Sequence, residues 1–143
     1  MNSLQGKTAL ITGAAQGNGL GIARVFAQKG ATVIMTDQDD KVFGSCELIK
    51  YETKAPGVFA YLMDVSNKKQ VADVISRYEE EIGTTDILVN NAGVSLLTTI
   101  EEMDDELRDK HFDVNIMGAW NCVKSVLPGM MKRKYGRIVT ISS

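Results

Sequence analysis

TALITGAAQGNGLGIA, residues Thr8–Ala23, runs from an apolar strand through a glycine-rich turn into a helix. Leu10 and Ile11 have the aliphatic, β-branched character of a buried strand, and Gly13, Gly17 and Gly19 bare the backbone where the helix would begin. Missing side chains let the main chain approach an anion closely. The free N–H groups of a helix's first turn, with the helix dipole behind them, attract negative charge, so the stretch is suited to seating a phosphate. Glycines also mark ordinary loops, and the reading therefore rests on what surrounds it.

Downstream, Leu20, Ile22, Ala23, Phe26 and Ala27 form a helical apolar stripe that Gly30 ends. Ala31–Thr36 (ATVIMT) predicts a second strand, apolar throughout its centre as strands covered on both faces are. Asp39 is placed to cap a helix turning Val42, Cys46 and Ile49 inward, and Lys54–Gly57 breaks it. Val58–Met63 (VFAYLM) predicts a third strand. Asp64–Ser66 then supplies an N-cap for a helix with Val71, Val74, Ile75 and Tyr78 on one face. Asp86–Val89 (DILV) predicts a fourth strand that ends in the turn Asn90-Asn91-Ala92-Gly93. Asp104–Lys134 carries one long helical pattern in which Leu107, Phe112, Ile116, Trp120, Val123 and Leu127 recur, with a stop at Tyr135-Gly136. Arg137–Ile141 (RIVTI) predicts the fifth strand.

Strands alternating with helices of this length require parallel pairing through right-handed crossovers, which gives an α/β fold with helices on both faces of one sheet. The doubly wound order 3-2-1-4-5 fits. In it the winding reverses between the first and fourth strands, and both glycine-bearing turns fall at that switch point, where open sheets bind ligands. The 143 residues make one domain, without repeats or low-complexity segments.

A net charge of −2, with both signs spread along the chain, argues against nucleic acid or an anionic membrane as partner. The basic run Lys132-Arg133-Lys134 falls at a helix end, where cations suit the dipole and solvent. Cys46 and Cys122 occur without a CxxC or a companion histidine spacing, so no metal site is expected and both read as idle thiols in a reducing compartment. The start lacks a secretory h-region, and no apolar run nears the ~20 residues of a membrane span. A cytoplasmic protein is the expectation.

With the layout placed, the chain resembles the N-terminal part of a short-chain dehydrogenase/reductase. The likeness lies in Thr12-Gly13-Ala14-Ala15-Gln16-Gly17-Asn18-Gly19, in Asp64-Val65, in Asn90-Asn91-Ala92-Gly93, in Asn115, and in Ser142-Ser143 after the fifth strand. The resemblance implies a Rossmann-type sheet and hydride transfer between a nicotinamide and an alcohol or carbonyl substrate. It assigns the pyrophosphate to Gly13, Gln16, Gly17, Asn18 and Gly19, the adenine to Asp64 and Val65, and the ribose wall to Asn91, Ala92 and Gly93, with Asn90 tying strands together. Asn18 departs from the family's aliphatic residue, which leaves the main-chain N–H in place and puts an amide beside the nicotinamide pocket.

Asp37 ends the second strand about 20 residues beyond the glycines, where a carboxylate can accept from the adenosine ribose. It would repel a 2′-phosphate, and no Arg or Lys occupies Ala14–Gln16 or Gln38, so NAD(H) is favoured over NADP(H). A turn or capping role suits Asp37 as well, given Asp39 and Asp40 beside it. Ser143 matches the family's substrate-orienting serine. Asn115 matches the asparagine that holds a water in its proton relay, although a polar residue between Val114 and Ile116 equally suits a structural hydrogen bond. His111, the single histidine, is expected to be structural.

The family's activating YxxxK pair should follow the serine by about a dozen residues. None of Tyr51, Tyr61, Tyr78 and Tyr135 is followed by a lysine four residues later, so residues 1–143 on their own are expected to be nearly inactive. The apolar fifth strand at a sheet edge suggests a truncated chain. The intact protein is expected to be a dimer or tetramer. A catalytically silent nucleotide-binding or protein-interaction module is the alternative.

Overall fold

A computed structural model of the chain describes residues 2–142. Five strands, β1 (Thr8–Thr12), β2 (Thr32–Asp37), β3 (Val58–Leu62), β4 (Ile87–Asn90) and β5 (Arg137–Thr140), form one parallel sheet in the order β3-β2-β1-β4-β5. This is the doubly wound, Rossmann-type order expected from the sequence. Helices α1 (Gly17–Gln28), α2 (Lys41–Thr53), α3 (Lys68–Glu81), α4 (Asp105–Phe112) and α5 (Gly118–Arg133) make the crossovers.

The two-residue period of the strands sorts their apolar side chains into two layers. Ala9, Ile11, Val33 and Met35 pack with Ala23 and Ala27 of α1 and with Val42 and Ile49 of α2. Leu10, Ile34 and Leu88, paired across the sheet, point the other way onto Val71, Ile75 and Tyr78 of α3 and onto Cys122 and Val126 of α5. Burial on both faces explains why these strands read as unbroken apolar runs.

Several local expectations change. The cap of α3 is Asn67, whose side chain accepts from the Gln70 amide (3.0 Å), not Asp64–Ser66. Asp64 instead folds into a turn, accepting from the Ser66 amide (2.9 Å) and hydroxyl (2.7 Å). Asp39 does accept from Lys41 at the start of α2 (2.9 Å). Both α2 and α5 close on a left-handed lysine, Lys54 and Lys134. Arg133 is more than a solvated cation: it donates to the Thr85 carbonyl (2.7 Å) and lies 3.9 Å from Asp86, whose other oxygen accepts from the Thr8 amide (2.9 Å).

The single helix expected over 104–134 is three segments. Asp113–Met117 is a π-helical turn between α4 and α5, a widening of the backbone that often accompanies a functional site. This helical run also carries two apolar stripes. Gly118, Cys122, Val126 and Met130 face the sheet, while Phe112, Ile116 and Trp120 face solvent. Small residues on the inner stripe let the helix approach closely, with the Gly118 backbone lying against Val65.

Burial pushes the Cys122 thiol up to about 12, and it raises the Cys46 thiol and, more strongly, the Tyr78 phenol. Neither cysteine is paired, and both are buried.

Candidate functional site

The turns after β1 and β4 meet through Thr12. Its hydroxyl donates to the Val89 carbonyl (3.4 Å) and accepts from the amides of Asn91 and Ala92 (3.0 Å each). Asn91 answers from the other side, its Nδ2 donating to the carbonyls of Thr12 and Gly13 (3.1 Å each). Its side chain is therefore the tie between the turns, while Asn90 ties strands, as the sequence reading had it. Asn90 is buried; its Nδ2 donates to the Thr140 hydroxyl (3.4 Å), and its Oδ1 is the one buried side-chain polar atom without a partner among the described residues.

The glycines divide by what surrounds them. At Gly13 a Cβ would sit 2.8 Å from the Ala92 Cα, and at Gly19 it would collide with the Gly13 carbonyl. Both are demanded by the close approach of the two turns. Gly17 is different: like Gly13 it is left-handed (φ 60°), but a Cβ there would meet nothing within 4 Å. Its backbone opens α1 toward the crevice, next to Gln16, which is extended and makes no side-chain cap. A helix start without a capping side chain keeps its first N–H groups available to a ligand.

At the end of β2, Asp37 Oδ2 accepts from the Ala15 amide in the glycine turn (3.1 Å), and its Oδ1 accepts from the Asp39 amide (3.0 Å). The Ser45 hydroxyl donates to the Ala15 carbonyl (2.6 Å), so α2 and β2 together hold the turn. On the third side, the Asp64 amide donates to Gln70 Oε1 and the buried Asn121 donates to the Val65 carbonyl (2.9 Å). Thr12, Ser45, Gln70 and Asn121 were not singled out from the sequence as site residues. In each case a side chain meets a main chain far away in sequence or on another element, which local pattern does not encode.

These elements enclose a cavity of about 350 Å³. Gly13, Gln16 and Gly17 of the first turn, Asp37, Asp64 and Val65, and Asn91, Ala92 and Gly93 of the second turn all line it. Val94 and Val114 add apolar surface, and three carboxylates, Asp37, Asp39 and Asp64, line it with no lysine or arginine. Of the residues nominated by sequence, Gly19 is buried behind the turn and Asn18 is exposed on the first turn of α1; neither lines this cavity.

Asn115 sits apart, in the π turn. Its Oδ1 accepts from the Val94 amide (2.8 Å) and its Nδ2 donates to the Val94 carbonyl (2.9 Å), pairing with the chain just beyond Gly93. Ser143 lies outside the described residues. No tyrosine among the described residues lines the cavity, and no three His, Cys, Asp or Glu side chains among them converge as metal ligands.

The family profile described as "short chain dehydrogenase" matches residues 7–143. The chain belongs to the short-chain dehydrogenase family. Its relatives include oxidoreductase UcpA of Salmonella typhimurium, 49% identical over all of this chain and 54% of that protein. The 3-oxoacyl-[acyl-carrier-protein] reductase FabG of Thermotoga maritima is 38% identical over 98% of this chain and 56% of its own. The D-beta-hydroxybutyrate dehydrogenase of Cupriavidus necator is 35% identical over 98% and 54%. Among solved structures, gox2181 superposes with a TM-score of 0.93 at 32% identity, covering 99% of this chain and 55% of that one. The chain thus spans about half the length of the short-chain dehydrogenases it matches. Members of the family typically bind a nicotinamide dinucleotide. No helix among the described residues is long and apolar enough to cross a membrane.

Proposed function

We propose that the crevice seats a nicotinamide dinucleotide, NAD(H) in preference to NADP(H), as the cofactor-binding part of a cytoplasmic oxidoreductase acting on an alcohol or carbonyl. The observation that carries this is Gly17, left-handed and open to the cavity at an uncapped helix start, with Asp37 bonded to the same turn and lining the same cavity.

Each residue has a task. The backbone from Gln16 to Gly19 offers N–H groups and the α1 dipole to the pyrophosphate. Gly13 lets the turn lie against Ala92, and Gly19 lets α1 lie against the Gly13 carbonyl and the Asn91 side chain, so that geometry holds. Asp37 accepts one backbone amide on each oxygen and keeps lone pairs on both for the adenosine ribose hydroxyls. A 2′-phosphate would face the carboxylates of Asp37 and Asp39 with no cation among the lining residues. Asp64 and Val65 border the adenine end, and Asn91, Ala92 and Gly93 border the ribose next to the nicotinamide. Asn18, exposed on the first turn of α1, contributes its main-chain N–H to the set offered to the pyrophosphate.

The bound dinucleotide supplies the hydride acceptor or donor. Ser143 orients the substrate oxygen in this reading, and Asn115 serves the proton path. Because the Asn115 amide is engaged by Val94, its main-chain carbonyl is the group that would hold a water. The relatives whose names carry a substrate, a 3-oxoacyl reductase and a hydroxybutyrate dehydrogenase, interconvert ketones and secondary alcohols, which supports that substrate class. The solvent-facing stripe of Phe112, Ile116 and Trp120 supports a homo-oligomer, and sedimentation velocity that finds only monomer at all concentrations would remove that part.

Titrating NADH and NADPH separately, with nicotinamide fluorescence as the signal, tests the cofactor. NADH binding tighter is expected, and tighter NADPH binding overturns the role of Asp37. Asp37→Ala should weaken NADH about tenfold or more while affecting NADPH less. An unchanged ratio would leave Asp37 a turn residue only.

A further inference from the structure

The wall of the crevice beyond Gly93 is not held by its own secondary structure. Residues 91–99 form no helix or strand, and Leu96 and Leu97 lie with much of their side chains in solvent. Beyond Gly93, what holds this segment is one face of the neighbouring helical stretch, through two side chains four residues apart. Asn115 pairs with both main-chain groups of Val94. One turn earlier, His111 Nε2 accepts from the Leu96 amide (3.3 Å), and His111 Nδ1 lies 2.8 Å from the Leu107 carbonyl of its own helix.

The chemistry of these partners fixes the state of the ring. A backbone amide can only donate, so Nε2 must carry a lone pair; a carbonyl can only accept, so Nδ1 must carry the proton. Imidazolium cannot satisfy both, and neither can the opposite tautomer. Val94 and Leu96 point their amides to the same side because alternate residues of extended chain do. Asn115 and His111 thus act as two rungs that dock an otherwise unpaired segment, the inner rung beside the cavity and the outer rung two residues further along.

We propose that His111 is a positioning residue: as the neutral ring protonated on Nδ1, it fixes Leu96 against α4 and thereby sets the wall of the crevice that runs on from Val94. Its functional consequence rests on the reading of that crevice as the cofactor and substrate site, whereas the docking itself rests on hydrogen-bond geometry alone. Val94, two residues before Leu96, is the part of this segment beyond Gly93 that lines the crevice.

Nitrogen-15 spectra of the chain at pH 8, without cofactor, should show His111 with a protonated Nδ1 and an unprotonated, hydrogen-bonded Nε2. The reverse assignment, or rapid averaging of the two, overturns the proposal. Amide exchange supplies the second readout. In His111→Phe the Leu96 amide should exchange about tenfold faster while Leu10 and Ile34 in the sheet keep their protection. His111→Gln, which retains an acceptor oxygen, should recover part of it. Unchanged exchange at Leu96, or a uniform rise at all three amides, would reduce His111 to a general structural contact and overturn the proposal. NADH titration of the unmutated chain tests the crevice reading separately, since loop docking and nucleotide binding can each fail without the other.

Discussion

β1 and β5 are strands of the same parallel sheet, both apolar at their centres, and they have opposite surroundings. All five residues of β1 are buried; all four of β5 are exposed, with Ile138 at 41% and Val139 at 47% of full exposure. β1 lies between β2 and β4 under helices on both faces, whereas among the described residues β5 pairs with β4 alone. α5 repeats the contrast across its own width, with Cys122 and Val126 inside and Trp120 at 58% exposure outside. An apolar strand or stripe is thus a capacity for burial, and which ones are used depends on what lies beside them.

The largest effect should separate the two strands directly. Leu10→Ala removes a fully buried side chain between two layers and should lower unfolding free energy by about 2–5 kcal/mol. Ile138→Ala on β5 should cost less than about 1 kcal/mol. Urea unfolding followed by circular dichroism measures both, and equal losses would erase the distinction between the strands.

A smaller effect tests whether the buried half owes its order to polar ties as well as packing. Thr12→Val keeps the shape but leaves the amides of Asn91 and Ala92 without their shared acceptor. It should destabilise by about 1–3 kcal/mol and weaken NADH binding in the same titration. A variant that melts early yet binds NADH normally would separate the turn from the site.

The smallest effect concerns the two faces of α5. The buried Cys122 thiol is pushed up to about 12 from an ordinary value of 9.0, so between those values the folded chain holds a proton that the unfolded chain has released. Stability should be level below about pH 9 and fall above it, by up to roughly 1.4 kcal/mol per pH unit for this group, with Tyr78 adding to the slope at higher pH. Urea midpoints at pH 8, 9 and 10 measure the slope, and Cys122→Ala should flatten it. A Cys122→Ala slope equal to wild type would place that thiol in contact with water.

Much of this organisation is legible in residue order. Alternating strands and helices predict the sheet order, and the glycine turn, Asp37, Asp64-Val65 and Asn91-Ala92-Gly93 come together around one cavity. The cap of α3 was misplaced because Asp64, Ser66 and Asn67 are all capping types in one short stretch, and only backbone conformation selects Asn67. The three-part division of the 104–134 helix was illegible for a related reason: a π turn adds no breaker residue to the sequence.

By itself the sequence determined the periodic elements, the doubly wound order and the glycine turn, because each follows from spacing within about 30 residues or from the handedness of crossovers. Only the tertiary structure decided which glycines are hemmed in by neighbouring backbone and which has open space, which stripe of α5 turns inward, and how Thr12 joins Asn91 across a separation of 79 residues. His111 shows the same division. Its position was visible in the chain and the Leu107 carbonyl is local to its own helix, but the Leu96 amide, which with Leu107 sets the tautomer, is a partner that only the fold brings to the ring.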